Sequence, residues 1–323
     1  MSQNSVQQNR EPEAETVVYC PTPEETRQYL QAFRAAAPEF RFTDHAGCTV
    51  PAAVKQMVCW GVPPGFFAGY PAVQTVFALG AGVDKLVARP DLPAAVQICR
   101  LLDAGMAAQM LDYVLYGVLA VQYHFADYAR QQALARWQQR RSRAATELRC
   151  TVLGAGAIGG YVARGLAARG HAVTVWSRQP KAMPGIANVC GWDALPRVFA
   201  DTDILIALLP STAETRGLLN AERLAWLPAG ASLINAGRGD LIDDAALLAA
   251  LDRGQLSHAQ LDVFQVEPLP PAHPFWQHPR INLTPHVAAQ TLLPEAVAQI
   301  VANLRALAAG QTPSGLVDRR RQY

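Results

Sequence analysis

Several features that this 323-residue sequence lacks narrow its chemistry before any motif is considered. Its six cysteines (Cys20, Cys48, Cys59, Cys99, Cys150 and Cys190) stand far apart, with no Cys-x-x-Cys pair. That scatter suggests neither a zinc site nor a disulfide framework, and in a chain this long reduced core thiols are expected. No group of Cys, His and acidic residues has metal-ligand spacing, so no metal is expected. There is no Gly-x-Ser-x-Gly elbow and no Gly-Lys-Ser/Thr phosphate loop. A net charge of +2 gives no reason to invoke a nucleic acid or a membrane as partner. The opening MSQNSVQQNREPEAE has no apolar run and carries three glutamates, which reads as a disordered tail rather than a targeting peptide and leaves the cytoplasm as the expected location. The stretch MAAQMLDYVLYGVLAVQY is about long enough to span a bilayer, but Gln109 and Asp112 within it point to a buried interface helix.

What is present is a globular composition, half hydrophobic and 17% charged. From Thr16 short apolar runs alternate with helical patterns: TVVYC, MVCW and AVQTVFALG read as strands, and PEETRQYLQAFRAAAP as an amphipathic helix. A helical region is expected from about Pro93 to Trp137, ending in a basic run, RQQALARWQQRRSRAATE, that reads as a solvated connector. A second series begins at LRCTVL and continues through HAVTVWS, DILIALLP, ASLINAG, HAQLDVF and INLTP, then closes on the helix EAVAQIVANLRALAAG. Strands alternating with helices predict parallel sheets covered on both faces.

Between LRCTVL and the helix IGGYVARGLAARG lies Gly-x-Gly-x-x-Gly: Gly154, Gly156 and Gly159, with Ala157 and Ile158 between. Alone the pattern is weak, but strand, turn and helix in this order make a dinucleotide site. The first glycine permits the tight turn and the second lets backbone approach a pyrophosphate. The third lets helix and strand pack closely, and the helix N-terminus offers free N–H groups to the phosphates. The next strand should end in an acid if the ligand were NAD. It ends instead in Ser177 and Arg178, with Lys181 close by. A guanidinium and a hydroxyl favour a 2′-phosphate, so NADPH is expected over NADH.

Three more residues follow strands in this second series: Arg238 between glycines, Glu267 before a proline-rich loop, and His286 after Pro285. Ligands of open α/β sheets bind beyond the carboxyl ends of the strands, so the three are expected to converge. Reduction of a 2-oxo acid needs a hydride at the carbonyl carbon and a proton at its oxygen. A histidine suits the proton donor, a carboxylate orients it, and an arginine binds the substrate carboxylate or polarises the carbonyl.

With these residues in place the chain resembles the D-isomer-specific 2-hydroxyacid dehydrogenases, and within them the glyoxylate/hydroxypyruvate reductase A branch. The matching segments include FALGAGVDKL, AGMAAQM, VLGAGAIGG, WSRQPK, LLPSTAET, NAGRGDLIDDAALLAALDRG, LDVFQVEPLPPAHPFWQHPRINLTPHVAAQT and VDRRRQY. The resemblance implies that Arg238 binds and polarises the substrate, that His286 donates the proton and that Glu267 pairs with it. It implies that Leu209, Pro210 and Thr215 line the adenosine side of the cofactor, and Asn235, Ala236 and Gly237 the nicotinamide side, with Asp262 near the carboxamide. Ala81 and Gly82 would offer N–H groups to the substrate carboxylate, and Trp60 would wall the pocket. The helix holding Met106 and Gln109 would lie near the cleft and a homodimer contact.

The expected architecture is α/β: two Rossmann-like doubly wound domains, the second inserted between the first and a C-terminal helix that returns to it. The boundaries expected are a tail over 1–15, a substrate domain over 16–120 plus 291–323, and a dinucleotide domain over 121–290. The leading reading is reduction of glyoxylate and hydroxypyruvate. Two others stay open: a dehydrogenase for a bulkier 2-oxo acid, and a nucleotide-sensing interaction protein on the same fold.

Overall fold

The computed structural model describes residues 15–322. Glu15, placed in the expected tail, opens the first strand; the rest of that tail lies outside the described residues. The chain divides into two units, Met1–Ala104 with Thr291–Tyr323, and Gly105–Gln290.

The first unit begins with β1 (Glu15–Tyr19), α1 (Pro23–Ala36), β2 (Arg41–Asp44), β3 (Gln56–Cys59), β4 (Thr75–Ala78), the short α2 (Asp84–Val87) and β5 (Gln97–Cys99). Its strands form a parallel five-stranded sheet in the order β2-β1-β3-β4-β5. Val17, Val18, Met57, Val58, Val76, Phe77 and Ile98 are buried, as the near-continuous apolar strands of a sheet covered on both faces should be. The helix expected from Pro93 starts later than predicted, because Gln97–Cys99 pairs with Thr75–Phe77 as an edge strand.

The second unit holds α3 (Met106–Gln122), α4 (Phe125–Ala133), β6 (Arg149–Leu153), α5 (Ala157–Ala168), β7 (Ala172–Ser177), β8 (Ala187–Cys190), α6 (Leu195–Ala200), β9 (Ile204–Ala207), α7 (Ala221–Leu224), β10 (Ala231–Asn235), α8 (Asp244–Asp252), β11 (Leu256–Leu261) and β12 (Ile281–Leu283). Its seven strands are all parallel, in the order β12-β11-β10-β9-β6-β7-β8. The order reverses beside β6, which places a crevice at the carboxyl end of that strand. One face of the sheet is covered by Leu195, Phe199, Leu247 and Leu251, the other by Val114, Val118, Val162 and Leu166. The chain then returns to the first unit through α9 (Leu293–Ala308), which packs on α1.

The first border falls at 104/105 rather than after residue 120. The sequence places α3 in the substrate domain, but Met110, Val114 and Val118 are buried in the second unit's core and the helix packs on α5 and β10. Gly165 of α5 permits this: a Cβ there would overlap the side chain of Leu111. No helix among the described residues is long and apolar enough to cross a membrane.

Candidate cofactor and catalytic site

Every cofactor and catalytic residue expected in the second unit ends or follows a strand of its sheet, or lies in the first turn of the helix after it. At the centre is the glycine turn after β6. Gly154 has φ +119, a conformation that penalises side chains, and its N–H donates to the Trp176 carbonyl at 2.9 Å. A Cβ on Gly159 would overlap the Gly154 carbonyl, so the third glycine is required for close packing of helix on turn. Gly156 differs: a Cβ there would meet nothing within 4 Å, so its backbone faces open space. It is the N-cap of α5, yet no side chain caps that helix and its first turn, including Ala157 and Ile158, carries no acid. Uncapped N–H groups and the positive end of the helix dipole are what a pyrophosphate needs.

On one side lies the end of β7. The Ser177 hydroxyl donates to the Gln179 carbonyl at 2.7 Å and accepts from Asn188 Nδ2 at 2.9 Å, so its proton is committed to the turn. Ser177 thus shapes the loop, a task different from the phosphate donor expected of it. Asn188 of β8 also accepts from Lys181 N at 2.7 Å and donates to the Val175 carbonyl at 3.1 Å. It pins the whole segment that carries Arg178. Arg178 Nη1 donates to Glu214 Oε2 at 2.6 Å. Neither Asn188 nor Glu214 is in the sequence-based set, because their partners are distant in the chain.

Beyond β9, Leu209 is buried and Pro210 accepts the Thr215 hydroxyl at 2.7 Å through its carbonyl. Thr215 also accepts from Thr212 N at 2.8 Å, so this threonine fixes the loop from within. Beyond β10, Asn235 accepts from Gly237 N at 3.1 Å and donates to the Arg238 carbonyl at 2.9 Å. Those bonds shape the turn through Ala236 and Gly237 that presents Arg238, whose Nη1 donates to the Gly237 carbonyl at 2.7 Å. Gly239 lies against the Phe264 backbone so closely that a Cβ would overlap it.

β11 and β12 supply the remaining pair. His286 Nδ1 lies 2.9 Å from Glu267 Oε2, and Glu267 Oε1 accepts from Phe264 N at 3.0 Å. A carboxylate accepts only, so Nδ1 carries a proton and Nε2 is left for a reacting group. His286 has φ +56, a strained setting for a histidine. Its N–H donates to the Asp262 carbonyl at 2.9 Å, while the Asp262 carboxylate accepts from Val287 N at 2.9 Å, Ala288 N at 3.0 Å and Thr284 Oγ1 at 2.7 Å. Asp262 is 1% exposed, and its bonds hold the strained turn that aims His286. The Tyr113 hydroxyl of α3, 2.8 Å from Thr284 Oγ1, extends the chain, and burial pushes the tyrosine up to about 12.

In the first unit, the Trp60 ring packs on Gly80, where a Cβ would stand 2.6 Å from the indole. Ala81 and Gly82 are half-buried in the turn between β4 and α2. Met106 is buried, and Gln109 Nε2 donates to the carbonyls of Gly105 and Gln290 at 2.9 and 2.8 Å, both within the second unit. Among the described residues no group of three or more His, Cys, Asp or Glu is placed to hold a metal.

Residues 115–288 match the family model of the D-isomer specific 2-hydroxyacid dehydrogenase NAD binding domain. A glyoxylate/hydroxypyruvate reductase A of Yersinia enterocolitica is 40% identical over 305 residues, covering 93% of this chain and 97% of its own length. A D-isomer specific 2-hydroxyacid dehydrogenase of Xanthobacter autotrophicus, solved with NADPH and MES, aligns with TM-score 0.92 at 41% identity and covers 97% of this chain and 100% of its own. An NADPH-dependent glyoxylate/hydroxypyruvate reductase of Sinorhizobium meliloti, solved with NADP and sulfate, gives TM-score 0.88 at 29% identity over 96% of this chain and 100% of its own. On the family match and on similarity along nearly its whole length, the chain belongs to the D-isomer specific 2-hydroxyacid dehydrogenase family.

Proposed function

We propose that this oxidoreductase reduces small 2-oxo acids with NADPH, glyoxylate to glycolate and hydroxypyruvate to D-glycerate. The observation that carries the reading is the His286–Glu267 pair, 2.9 Å apart, on the same sheet edge as Arg238 and the uncapped glycine turn. The similar reductases and the NADPH-bound and NADP-bound structures support the substrate class and the cofactor.

The residues fit the cofactor. Gly154, Gly156, Ala157, Ile158 and Gly159 would hold the pyrophosphate on the α5 N-terminus, and Arg178 with Lys181 would face the 2′-phosphate. Leu209, Pro210 and Thr215 would flank the adenosine, and Asn235, Ala236 and Gly237 the nicotinamide. When bound, NADPH supplies the hydride. Arg238 binds the substrate carboxylate and draws charge from the carbonyl. His286, acting as the imidazolium with a proton on each ring nitrogen, delivers the Nε2 proton to the carbonyl oxygen and is left neutral with the Nδ1 proton, while Glu267 stabilises the charged ring and fixes its orientation. Asp262 holds the turn on which His286 rides, and Trp60, Ala81 and Gly82 contact the substrate. The products are the 2-hydroxy acid and NADP+. The working form is a homodimer, joined through apolar residues exposed on and after α3 and α4, among them Tyr116, Phe125, Leu134 and Trp137.

The test is NADPH and NADH oxidation with glyoxylate, hydroxypyruvate, pyruvate and a phenyl-substituted 2-oxo acid. Fast turnover of the two small acids with NADPH is expected. No turnover with any of them overturns the enzyme reading, and preference for the phenyl acid overturns the substrate class. His286→Ala should lower kcat by about a thousandfold with NADPH affinity retained, because only the proton donor is removed. Equal losses in both would show that His286 is misassigned.

A further inference from the structure

The end of β7 lacks the acid of an NAD site, yet a carboxylate is present there, brought from another loop. Glu214, beyond β9, places Oε2 2.6 Å from Arg178 Nη1. We propose that Glu214 is a specificity-determining residue that competes with the 2′-phosphate of NADP(H) for Arg178. The inference rests on the NADPH reading above and adds to it an opposing group.

Both backbones of the pair are fixed. Glu214 sits in a loop tied by the Thr212 and Thr215 hydroxyls and anchored where the Ser211 hydroxyl and Arg216 Nε, the latter at 3.2 Å, meet the Asp240 carboxylate. Arg178 sits in the segment held by Ser177 and Asn188. Neither loop can withdraw readily, so accommodation falls to the side chains. The Glu214 side chain is 51% exposed and has room to swing, whereas that of Arg178 is 27% exposed.

A phosphate arriving at Arg178 has to share the guanidinium with Glu214, which already takes an Nη1 donor and part of its charge. It also brings two negative charges next to a carboxylate whose backbone stays in place. Both effects weaken NADPH and leave NADH, which carries only a hydroxyl there, nearly untouched. Glu214 therefore moderates the preference that Arg178 creates. The acid absent from the strand end acts from across the nucleotide site.

Calorimetric binding of NADP+ and NAD+, without substrate, to wild type, Glu214→Gln and Arg178→Gln tests this. Glu214→Gln keeps the size and removes the charge, and thermal unfolding without nucleotide checks its fold. It should tighten NADP+ by about three- to tenfold, with NAD+ changed by less than about twofold. The gain should shrink at high salt, as an effect between exposed charges must. No tightening of NADP+, or equal tightening of both nucleotides, overturns the role of Glu214. The outcomes separate the two readings. If wild type binds NADP+ no better than NAD+ and Arg178→Gln changes neither, the 2′-phosphate site itself is wrong. If Arg178→Gln weakens NADP+ while Glu214→Gln leaves it unchanged, only the competition by Glu214 is wrong.

Discussion

β1 and β6 each hand the chain to a helix at the carboxyl edge of a parallel sheet, and the two junctions are finished in opposite ways. At α1 the Thr22 hydroxyl accepts from Glu25 N at 3.2 Å, and the Glu25 carboxylate accepts from Thr22 N at 3.3 Å. Glu24 and Glu25 add negative charge to the first turn. The orphan donors and the dipole of α1 are satisfied from within the chain, and an anion would be repelled. At α5 the cap is Gly156, no side chain accepts, and no acid stands in the first turn. The same strand–turn–helix unit is thus closed in one sheet and open in the other. What distinguishes a nucleotide site from a structural junction is the unmet demand at the helix end, rather than the fold around it.

The largest break in that comparison would come from closing the open end. Gly156 has φ −76 and ψ −171, extended backbone of the kind an N-cap residue adopts, and a Cβ on it would have no atom within 4 Å. Gly156→Asp should therefore stabilise the protein without nucleotide by a few tenths to about 1 kcal/mol through capping and the dipole. The same carboxylate would occupy the phosphate position and repel it. NADP+ affinity should fall by at least about a hundredfold, near 3 kcal/mol. Thermal unfolding and calorimetry read the two opposite signs. A variant that loses stability, or that keeps its NADP+ affinity, would show that α5 does not end in an anion site.

The open junction was legible in the sequence because glycine spacing acts locally: three glycines, a strand before and a helix after determine the backbone. Arg238, Glu267 and His286 were legible because each follows an apolar run, and the ends of parallel strands share an edge. The edge strands β2, β5 and β8 were missed. They are short, and RFTD, QIC and ANVC offer no sustained apolar pattern. The allegiance of α3 was missed because Met106–Gln122 is apolar on more than one face, and nothing local says which sheet it covers. Asn188, Glu214 and Tyr113 were missed because a hydrogen bond between loops leaves no periodic trace. The Ser177 hydroxyl shows the reverse: the residue stands out in the sequence, but its proton belongs to Gln179.

A second contrast between the sheets concerns acid. β1 to β5 contain no histidine, whereas His258 of β11 is buried beside Arg130, and burial, reinforced by that charge, pushes it from 6.5 down to about 4. Below pH 6.5 the unfolded chain takes a proton that the folded unit refuses, so stability should fall as pH drops from 6.5 towards 4. At about 1.4 kcal/mol per pKa unit, a shift from 6.5 to about 4 bounds the loss at about 3.5 kcal/mol. Denaturant unfolding of wild type and His258→Leu at neutral and acid pH isolates the share of this group. Hydrogen exchange should show β9 to β12 opening before β1 to β5 in acid, and only in the wild type. An unchanged acid loss in His258→Leu would move the cause elsewhere.

The smallest effect belongs to the closed junction, and it tests whether closure there is purely structural. Thr22→Ala removes the hydroxyl that accepts from Glu25 N and donates to the Glu25 carboxylate, which keeps only its bond from the backbone N–H of residue 22. The expected loss is about 1 kcal/mol of stability, read by denaturant unfolding. NADP+ affinity should stay within about twofold of wild type, since α1 offers its donors to its own chain rather than to a ligand. Gly156→Asp and Thr22→Ala thus form opposed halves of one experiment: adding a cap to α5 trades binding for stability, and removing one from α1 lowers stability alone. If Thr22→Ala weakened NADP+ as strongly as it lowered stability, the capped end of α1 would have to take part in binding, and the division of labour between the two junctions would fail.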